Sequence, residues 1–494
     1  MTPAEARAAM AEHLRRITAL SQVAGLLHWD QETMMPPRGA AQRAEQIAAL
    51  EEVLHGLRAD PRIPEIAEAM GADLPPAEAA ARREALRAHA RATRVPAGLA
   101  AEIARATSAA HGVWAAAKAA GRFADFAPTL ARIVALKREE AACLAAPGGT
   151  PYDALIDAFE PGMTAAEIAA LFGALRPGLV ELCAEIAPRA RSAPRLRGSF
   201  APEAQRALSR RLAGLFGYDW KAGRLDEAEH PFSSGEGNDV RITTRIDPDN
   251  PLEAIYATIH ETGHAVYEQR IDPALALTPV GAGASMGIHE SQSRLFENQI
   301  GRSRAFMEWL WPAMRTAFGE LGIEGPGALW RAVNRVEPGF RRTEADELHY
   351  NLHVILRFDL ERALISGDLA VADLEAAWNE RFLADFGRSV PHAGLGVLQD
   401  VHWAAGLFGY FPTYSLGNVN AACLWAAMGR DLPGRDAAIA AGDLSGPIDW
   451  LTARIHRHGR IHPPRELLRL ATGGDPDPGP LLDYLGAKFR ALFP

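Results

Sequence analysis

Apolar residues recur at three- and four-residue spacing through almost the whole chain, against a background rich in Ala, Leu, Glu and Arg. That is the helical period, and it restricts the chain to a mainly α fold. Helices are expected over roughly 3–20, 38–57, 97–120, 128–145, 164–187, 202–216, 251–271, 288–301, 345–366, 371–387, 447–458 and 479–491. Turn clusters such as "APGGTPYD", "DPDNP" and "TGGDPDPGP" separate them. One segment departs from the pattern. "DVRITTRID", 239–247, sets Val240, Ile242, Thr244 and Ile246 against Arg241, Thr243 and Arg245, the period-two pattern of a half-buried strand. A weaker strand is expected in "LTPVGAGASMGI", so a small sheet should stand beside the helix that starts near 251. No fixed-period repeat or compositional linker is visible, and a single unit spanning 1–494 is expected.

The helix at 251 carries "IHETGH". Asn250 suits its N-cap, Pro251 its first turn, and Glu253 the acid of a capping box. His260 and His264 are four residues apart, close to one turn, so their imidazoles project side by side. Two imidazoles so placed can share one zinc ion, and Glu261 lies about 100° round the helix, where it can serve a water without ligating the metal. Gly263 in mid-helix costs about 1 kcal/mol, which suggests that something approaches closely there. Three protein ligands with an open position define a catalytic zinc. The third is sought in "GIHESQSRLFENQIGRS", where Glu290 is the first choice and His289 the rival. Glu297, two turns beyond Glu290, can orient a ligating histidine or form an ordinary salt bridge.

Composition excludes several other classes. The 52 basic and 61 acidic residues give a net charge of −9 with no basic block, which argues against nucleic acid as a partner. Cys143, Cys183 and Cys423 are far apart and form no CxxC, so neither thiolate zinc sites nor a disulfide framework is expected. The N-terminus lacks the basic start, apolar run and cleavage site of a signal peptide, and no stretch nears the ~18 apolar residues of a membrane span. A cytoplasmic chain with no membrane partner is expected.

A series of motifs in fixed order carries a resemblance. It runs "HWDQETMMPP", "HPF" at 230–232, "DVRITT" at 239–244, "HETGH" at 260–264, "HESQ" at 289–292, "RRTEAD" at 341–346, "GVLQDVHW" at 396–403, "GYFPTYSLGN" at 409–418 and "IHRHG" at 455–459. Taken together they resemble, nearly end to end, the carboxypeptidase Taq family of M32 metallocarboxypeptidases. The resemblance implies a large helical gluzincin-like fold with zinc at the floor of a deep groove. It implies removal of single residues from peptide C-termini with broad preference, and a homodimer. It places the zinc ligands at His260, His264 and Glu290, the general base at Glu261, a carboxylate-binding arginine at Arg342 and a tyrosine near the scissile carbonyl at Tyr414. Arg341 stands where the family motif has Ile, which leaves either arginine to face the substrate.

An exopeptidase must read the terminal carboxylate, and a guanidinium fork does so with paired hydrogen bonds. Arg241 and His230 are the further candidates for that contact, Tyr410 is the alternative phenol, and His402 is either a cleft donor or a core histidine. Trp29 and Trp403 read as packing, and His456, His458 and His462 as a structural turn. The metal is expected to be zinc, with cobalt the other candidate. A zinc endopeptidase or oligopeptidase of similar fold, and a metal-retaining helical scaffold without catalysis, are the competing readings.

Overall fold

The computed structural model describes residues 1–190 and 193–494. The chain is mainly α-helical with one three-stranded sheet, as its periodicity requires. It packs as two compact units, each assembled from separated stretches. The first comprises Met1–Thr93, Pro194–Val333 and Asn420–Asp475; the second comprises Arg94–Ala193, Asn334–Val419 and Pro476–Pro494.

In the first unit the N-terminal helix runs Pro3–Thr33, well past the expected end near 20. Thr2 and Glu5 form a capping box, and no proline follows until Pro36 and Pro37. The sheet has the order β1 (Leu225–Glu227), β3 (Asp239–Thr244), β2 (Ser233–Glu236), with β1 parallel and β2 antiparallel to β3. β3 is the strand that the alternation predicted. Val240 and Ile242 are fully buried, and the strand stops three residues short of the expected 247, before Pro248. The Thr258 hydroxyl donates to Thr244 Oγ1, and the Thr244 hydroxyl to the Ala254 carbonyl, which pins β3 to the helix Pro251–Gln269. That helix, the histidine helix, buries Ile255, Ile259, Val266 and Tyr267 in the core of the unit.

Two local expectations are corrected. The segment "LTPVGAGASMGI" forms no strand. Its Gly283 and Ala284 N–H groups bond to the side chains of Glu268 and Tyr267, so they are not available to a sheet ladder. Gly281 is folded so tightly that an added Cβ would lie 2.3 Å from the Leu275 carbonyl oxygen. Asn250 does sit at the N-cap, but its side chain makes no capping bond, and Glu253 pairs with Arg245 at 3.7 Å instead of closing a box. A turn from Asp247 to Asn250 leaves Asn250 with ψ at 88°, outside the geometry of a side-chain cap.

In the second unit the helix Tyr350–Ser366 packs on the helices Ala165–Ala190 and Leu374–Phe386. The rings of Phe172 and Phe358 meet edge-on, while Phe382 and Phe386 stack at 4.2 Å. The helix Phe411–Asp431, which belongs to this unit up to Val419 and to the first unit from Asn420, was not expected. Pro412, Gly417 and Asn418 read as punctuation, but Pro412 lies in the first turn, where no intrahelical N–H is needed. The helices Pro76–Arg94 and Arg304–Phe318 were also missed, the second because Pro312 interrupts its pattern.

Candidate metal centre and substrate-contact residues

Gly263 explains how the centre is assembled. The next helix, Met286–Arg294, crosses the histidine helix so closely that a Cβ on Gly263 would stand 2.5 Å from Ser293 Cα and 2.7 Å from the Gln292 carbonyl oxygen. Ser285 starts this crossing helix by accepting from the Ile288 N–H at 3.1 Å. Behind it, His456 holds the Gln292 side chain at 2.9 Å, within a short 3-10 turn, His456–His458. The crossing presents Glu290 to both histidines. Its Oε2 lies 3.5 Å from His260 Nε2 and 3.4 Å from His264 Nε2.

Among the described residues these three side chains form the group able to hold a metal ion, with donor atoms within 4.8 Å of one another. The spacing fits an ion. Ligands about 2.0–2.1 Å from a shared tetrahedral zinc stand roughly 3.3 Å apart. Each of the three is oriented from behind. His260 Nδ1 meets Glu297 Oε2 at 2.9 Å, and Arg302 holds the other Glu297 oxygen at 3.0 Å. Arg294 bonds Glu290 Oε1 at 2.7 Å and Glu297 Oε2 at 3.1 Å, while Glu290 Oε2, which also accepts from the Ser293 hydroxyl at 3.0 Å, faces the histidines. Glu297 lies in a π-helical turn, Leu295–Ile300, that continues the crossing helix. His289, the rival ligand, turns away from the cluster: its Nδ1 faces His264 Nδ1 at 2.6 Å and its Nε2 faces Glu268 at 2.8 Å.

Burial dominates the electrostatics. Glu261, only 7% exposed, has its carboxyl pushed up to about 7 by desolvation, with the neighbouring His260 pulling the other way. Burial presses His264 down to about 3, which favours the neutral, ligating form. Desolvation would raise Glu290, but Arg294 and His260 outweigh it and hold the carboxylate well below its usual range. Glu297 is held low in the same way by Arg294, His260 and Arg302.

The second unit carries the other group of expected residues. Arg342 is 6% exposed. Its Nε and Nη2 donate to Asp400 Oδ1 at 3.1 and 3.0 Å, and its Nη1 donates to the Tyr350 hydroxyl at 3.1 Å. Arg357, fully buried, takes the other Asp400 oxygen at 2.7 Å through Nε. Asp400 thus faces two guanidinium groups, which overcome its desolvation and keep it ionised well below the usual range. The Arg342 guanidinium also lies 4.6 Å from the centre of the Tyr414 ring. Tyr414 OH is 3.1 Å from His402 Nε2, and burial lowers His402 to about 4. Tyr410 packs edge-on against Phe159 at 4.9 Å and lies 5.3 Å from the Tyr414 ring. Arg341 is the outward member of its pair, bonded to Glu344 at 2.7 Å.

The remaining candidates have partners of their own or face solvent. Arg241 pairs with Asp239 at 2.7 Å and lies over Trp29, and His230 is exposed in the turn before β2. Trp403 donates to the buried Glu361. Sequence reasoning did not find Arg294, Glu268, Asp400, Arg357 or Tyr350. The signal for two of them was present: Arg294 is four residues after Glu290, and Glu268 four after His264, so each shares a face with a candidate ligand.

Comparison with known proteins identifies the family. The family model for carboxypeptidase Taq (M32) metallopeptidases matches residues 9–489. Thermostable carboxypeptidase 1 of Thermus thermophilus is 42% identical, covering 100% of both chains, and carboxypeptidase 1 of Bacillus subtilis is 36% identical over 97% of each. An M32 carboxypeptidase from Deinococcus radiodurans superposes with a TM-score of 0.94 at 38% identity, over 99% of both chains. Metallocarboxypeptidase 1 of Trypanosoma cruzi gives 0.96 at 35% identity, over 98% of this chain and 99% of that one. The chain therefore belongs to the carboxypeptidase Taq (M32) metallopeptidase family and is a metallocarboxypeptidase, a peptide hydrolase.

Proposed function

We propose that this metallocarboxypeptidase uses one zinc ion, held by His260, His264 and Glu290, to remove single residues from the C-termini of peptides with broad preference. Cobalt is the other ion the same ligands suit. The observation that carries the reading is the spacing of the three donors beside a buried acid on the same helix. When bound, the divalent ion acidifies water and polarises a peptide carbonyl.

The chain's own groups supply the rest. Glu261 accepts a proton from the attacking water and delivers it to the leaving amine; a carboxyl pushed up to about 7 is matched to both transfers at neutral pH. The Tyr414 hydroxyl donates to the carbonyl oxygen as charge develops there, a contribution often worth ~3–4 kcal/mol per donor. His402, 3.1 Å from that hydroxyl, directs it, and Tyr410 is the alternative phenol. Arg342 pairs with the terminal carboxylate of the peptide. Asp400 offers one negative charge to two guanidinium groups, and an incoming carboxylate supplies another. The three hydrogen bonds of Arg342 use three of its five N–H groups. Arg241 and His230 are the next candidates for that contact.

A homodimer and a cytoplasmic setting belong to the same reading. The three cysteines are all free, which suits a reducing compartment, and no helix among the described residues is long and apolar enough to cross a membrane. One assay tests the core of the proposal: a peptide with a free C-terminus, the same peptide amidated, and a chelator control. Stepwise loss of C-terminal residues, abolished by the chelator and by amidation, is the expected result. Internal cleavage of the amidated peptide would instead assign an endopeptidase or oligopeptidase, and no cleavage at all a non-catalytic scaffold.

A further inference from the structure

His260 and His264 are backed differently. Behind His260 stands a carboxylate in direct contact, Glu297. Behind His264 stands another imidazole, and only behind that a carboxylate. His264 Nδ1 and His289 Nδ1 are 2.6 Å apart, and His289 Nε2 is 2.8 Å from Glu268 Oε1. Two nitrogens at that separation share one proton, so one donates and the other accepts.

The far end decides which. A carboxylate oxygen accepts, so the bond to Glu268 places a proton on His289 Nε2 and leaves Nδ1 as the acceptor toward His264. His264 must then carry its proton on Nδ1, which leaves Nε2 bare. That is the nitrogen turned toward Glu290, at 3.4 Å. Without the acid, His289 is free to carry its proton on Nδ1. His264 Nδ1 then becomes the acceptor, and the proton moves to Nε2, where it blocks ligation.

The surroundings are built for this chain of bonds. Glu268 is 6% exposed and follows His264 by one helical turn. Its Oε1 also accepts the Gly283 N–H at 2.9 Å. A Cβ on Gly283 would stand 2.6 Å from His289 Cδ2 and 3.1 Å from Glu268 Oε1, so only glycine admits the backbone at that point. We infer that Glu268 and His289 are positioning residues that fix the tautomer of His264, and so set the metal affinity of the centre, by hydrogen bonds passed through the His289 ring. The inference rests on the metal reading given above.

The test is a double-mutant cycle on the full chain, stripped with a chelator and titrated with Zn2+ against a competing indicator. The variants are Glu268→Gln, His289→Phe and the pair. Gln keeps an accepting oxygen for Gly283 and His289 but loses the charge, and with it about half the strength of the bond that holds the proton on His289 Nε2. Each single variant should weaken zinc binding about 10- to 100-fold, the usual cost of losing an outer partner. The double variant should be no weaker than either single one, and the thermal midpoint of the metal-free protein should hold in Glu268→Gln. If the two losses multiply, Glu268 acts through its field alone, and the relay is wrong. Wild-type affinity in Glu268→Gln refutes it as well. If His289→Phe does not fold, Glu268→Asp replaces it: the charge stays while the contact opens, so affinity must still fall. Failure of the wild type to bind one ion per chain would sink the metal reading and this inference together, whereas tight binding in all variants sinks the inference alone.

Discussion

Replacing Gly263 by alanine tests the assembly of the centre with a single methyl group. On an open helix the change is favourable. Alanine relieves about 1 kcal/mol of helix cost relative to glycine. Gly112 provides that reference: it lies inside the helix Ala97–Ala120 with nothing within 4 Å of an added Cβ. At Gly263 the same methyl meets backbone atoms at 2.5, 2.7 and 2.8 Å, none of them on a side chain that could swing away. Moving Ser293 Cα from 2.5 Å to the 3.4 Å of ordinary contact requires a retreat of about 0.9 Å by the whole crossing helix. Overpacking of this kind costs about 1–3 kcal/mol, which exceeds the propensity gain. The sign therefore reverses between the two sites.

The retreat carries Glu290 with it. A metal site tolerates departures of about 0.2 Å in its ligand distances, several times less than this shift. Gly263→Ala should lower the unfolding midpoint, weaken zinc binding by at least ~10- to 100-fold and slow turnover on the order of 100-fold. Gly112→Ala should raise stability slightly and leave metal and activity alone. Urea unfolding and indicator competition on the two variants side by side read all of this. A Gly263→Ala protein as stable and as tightly metallated as the wild type would refute the close crossing as the device that places Glu290.

Further outcomes follow from the same centre and its neighbours. Metal analysis of His264→Ala should show the ion largely lost while circular dichroism reports the helical fold kept. Glu261→Gln should retain the ion but lose about 10²–10⁴-fold in kcat, because Gln cannot accept the proton; a variant keeping more than about a tenth of wild-type kcat would mean another base. Arg342→Ala and amidation of the substrate should each cost about 30- to 5,000-fold in kcat/KM and should not multiply, since both remove one contact; multiplication would make Arg342 structural, held by Asp400, and turn attention to Arg241. His349 gives a pH effect on stability. Burial opposes its charge, but Asp346, 2.8 Å away, outweighs this and the imidazole is pushed up to about 10, so the stabilisation is complete below the ordinary value of about 6.5 and is lost as pH rises through about 10. Unfolding free energy should fall over that window by up to ~1.4 kcal/mol per pH unit in the wild type, and His349→Gln should flatten the fall.

How much of this was legible in the sequence depends on the reach of each signal. The histidine helix, β3 and the Glu290 helix were readable because their patterns are local: a period of 3.6 or 2, a proline at the first turn, a glycine in mid-helix. Gly263 even pointed to the close approach that the structure contains, although nothing in the pattern named Ser293 as the neighbour. The helix Phe411–Asp431 was hidden because proline, glycine and asparagine usually break helices, and tertiary contacts override them here: Ser415 and Asn418 both donate to the buried Asn351 side chain at 2.9 Å. The outer residues were hidden for a different reason. Asp400 meets Arg342 across 58 positions and Arg357 across 43, and no periodicity encodes a contact of that kind. His289 shows the limit most clearly. Adjacent to Glu290, it was a reasonable ligand by residue type, but neighbouring positions on a helix point about 100° apart, so only one of the two can face the histidines. The crossing angle, fixed by where glycine lets the backbones touch, gave that place to Glu290 and left His289 to stand behind His264.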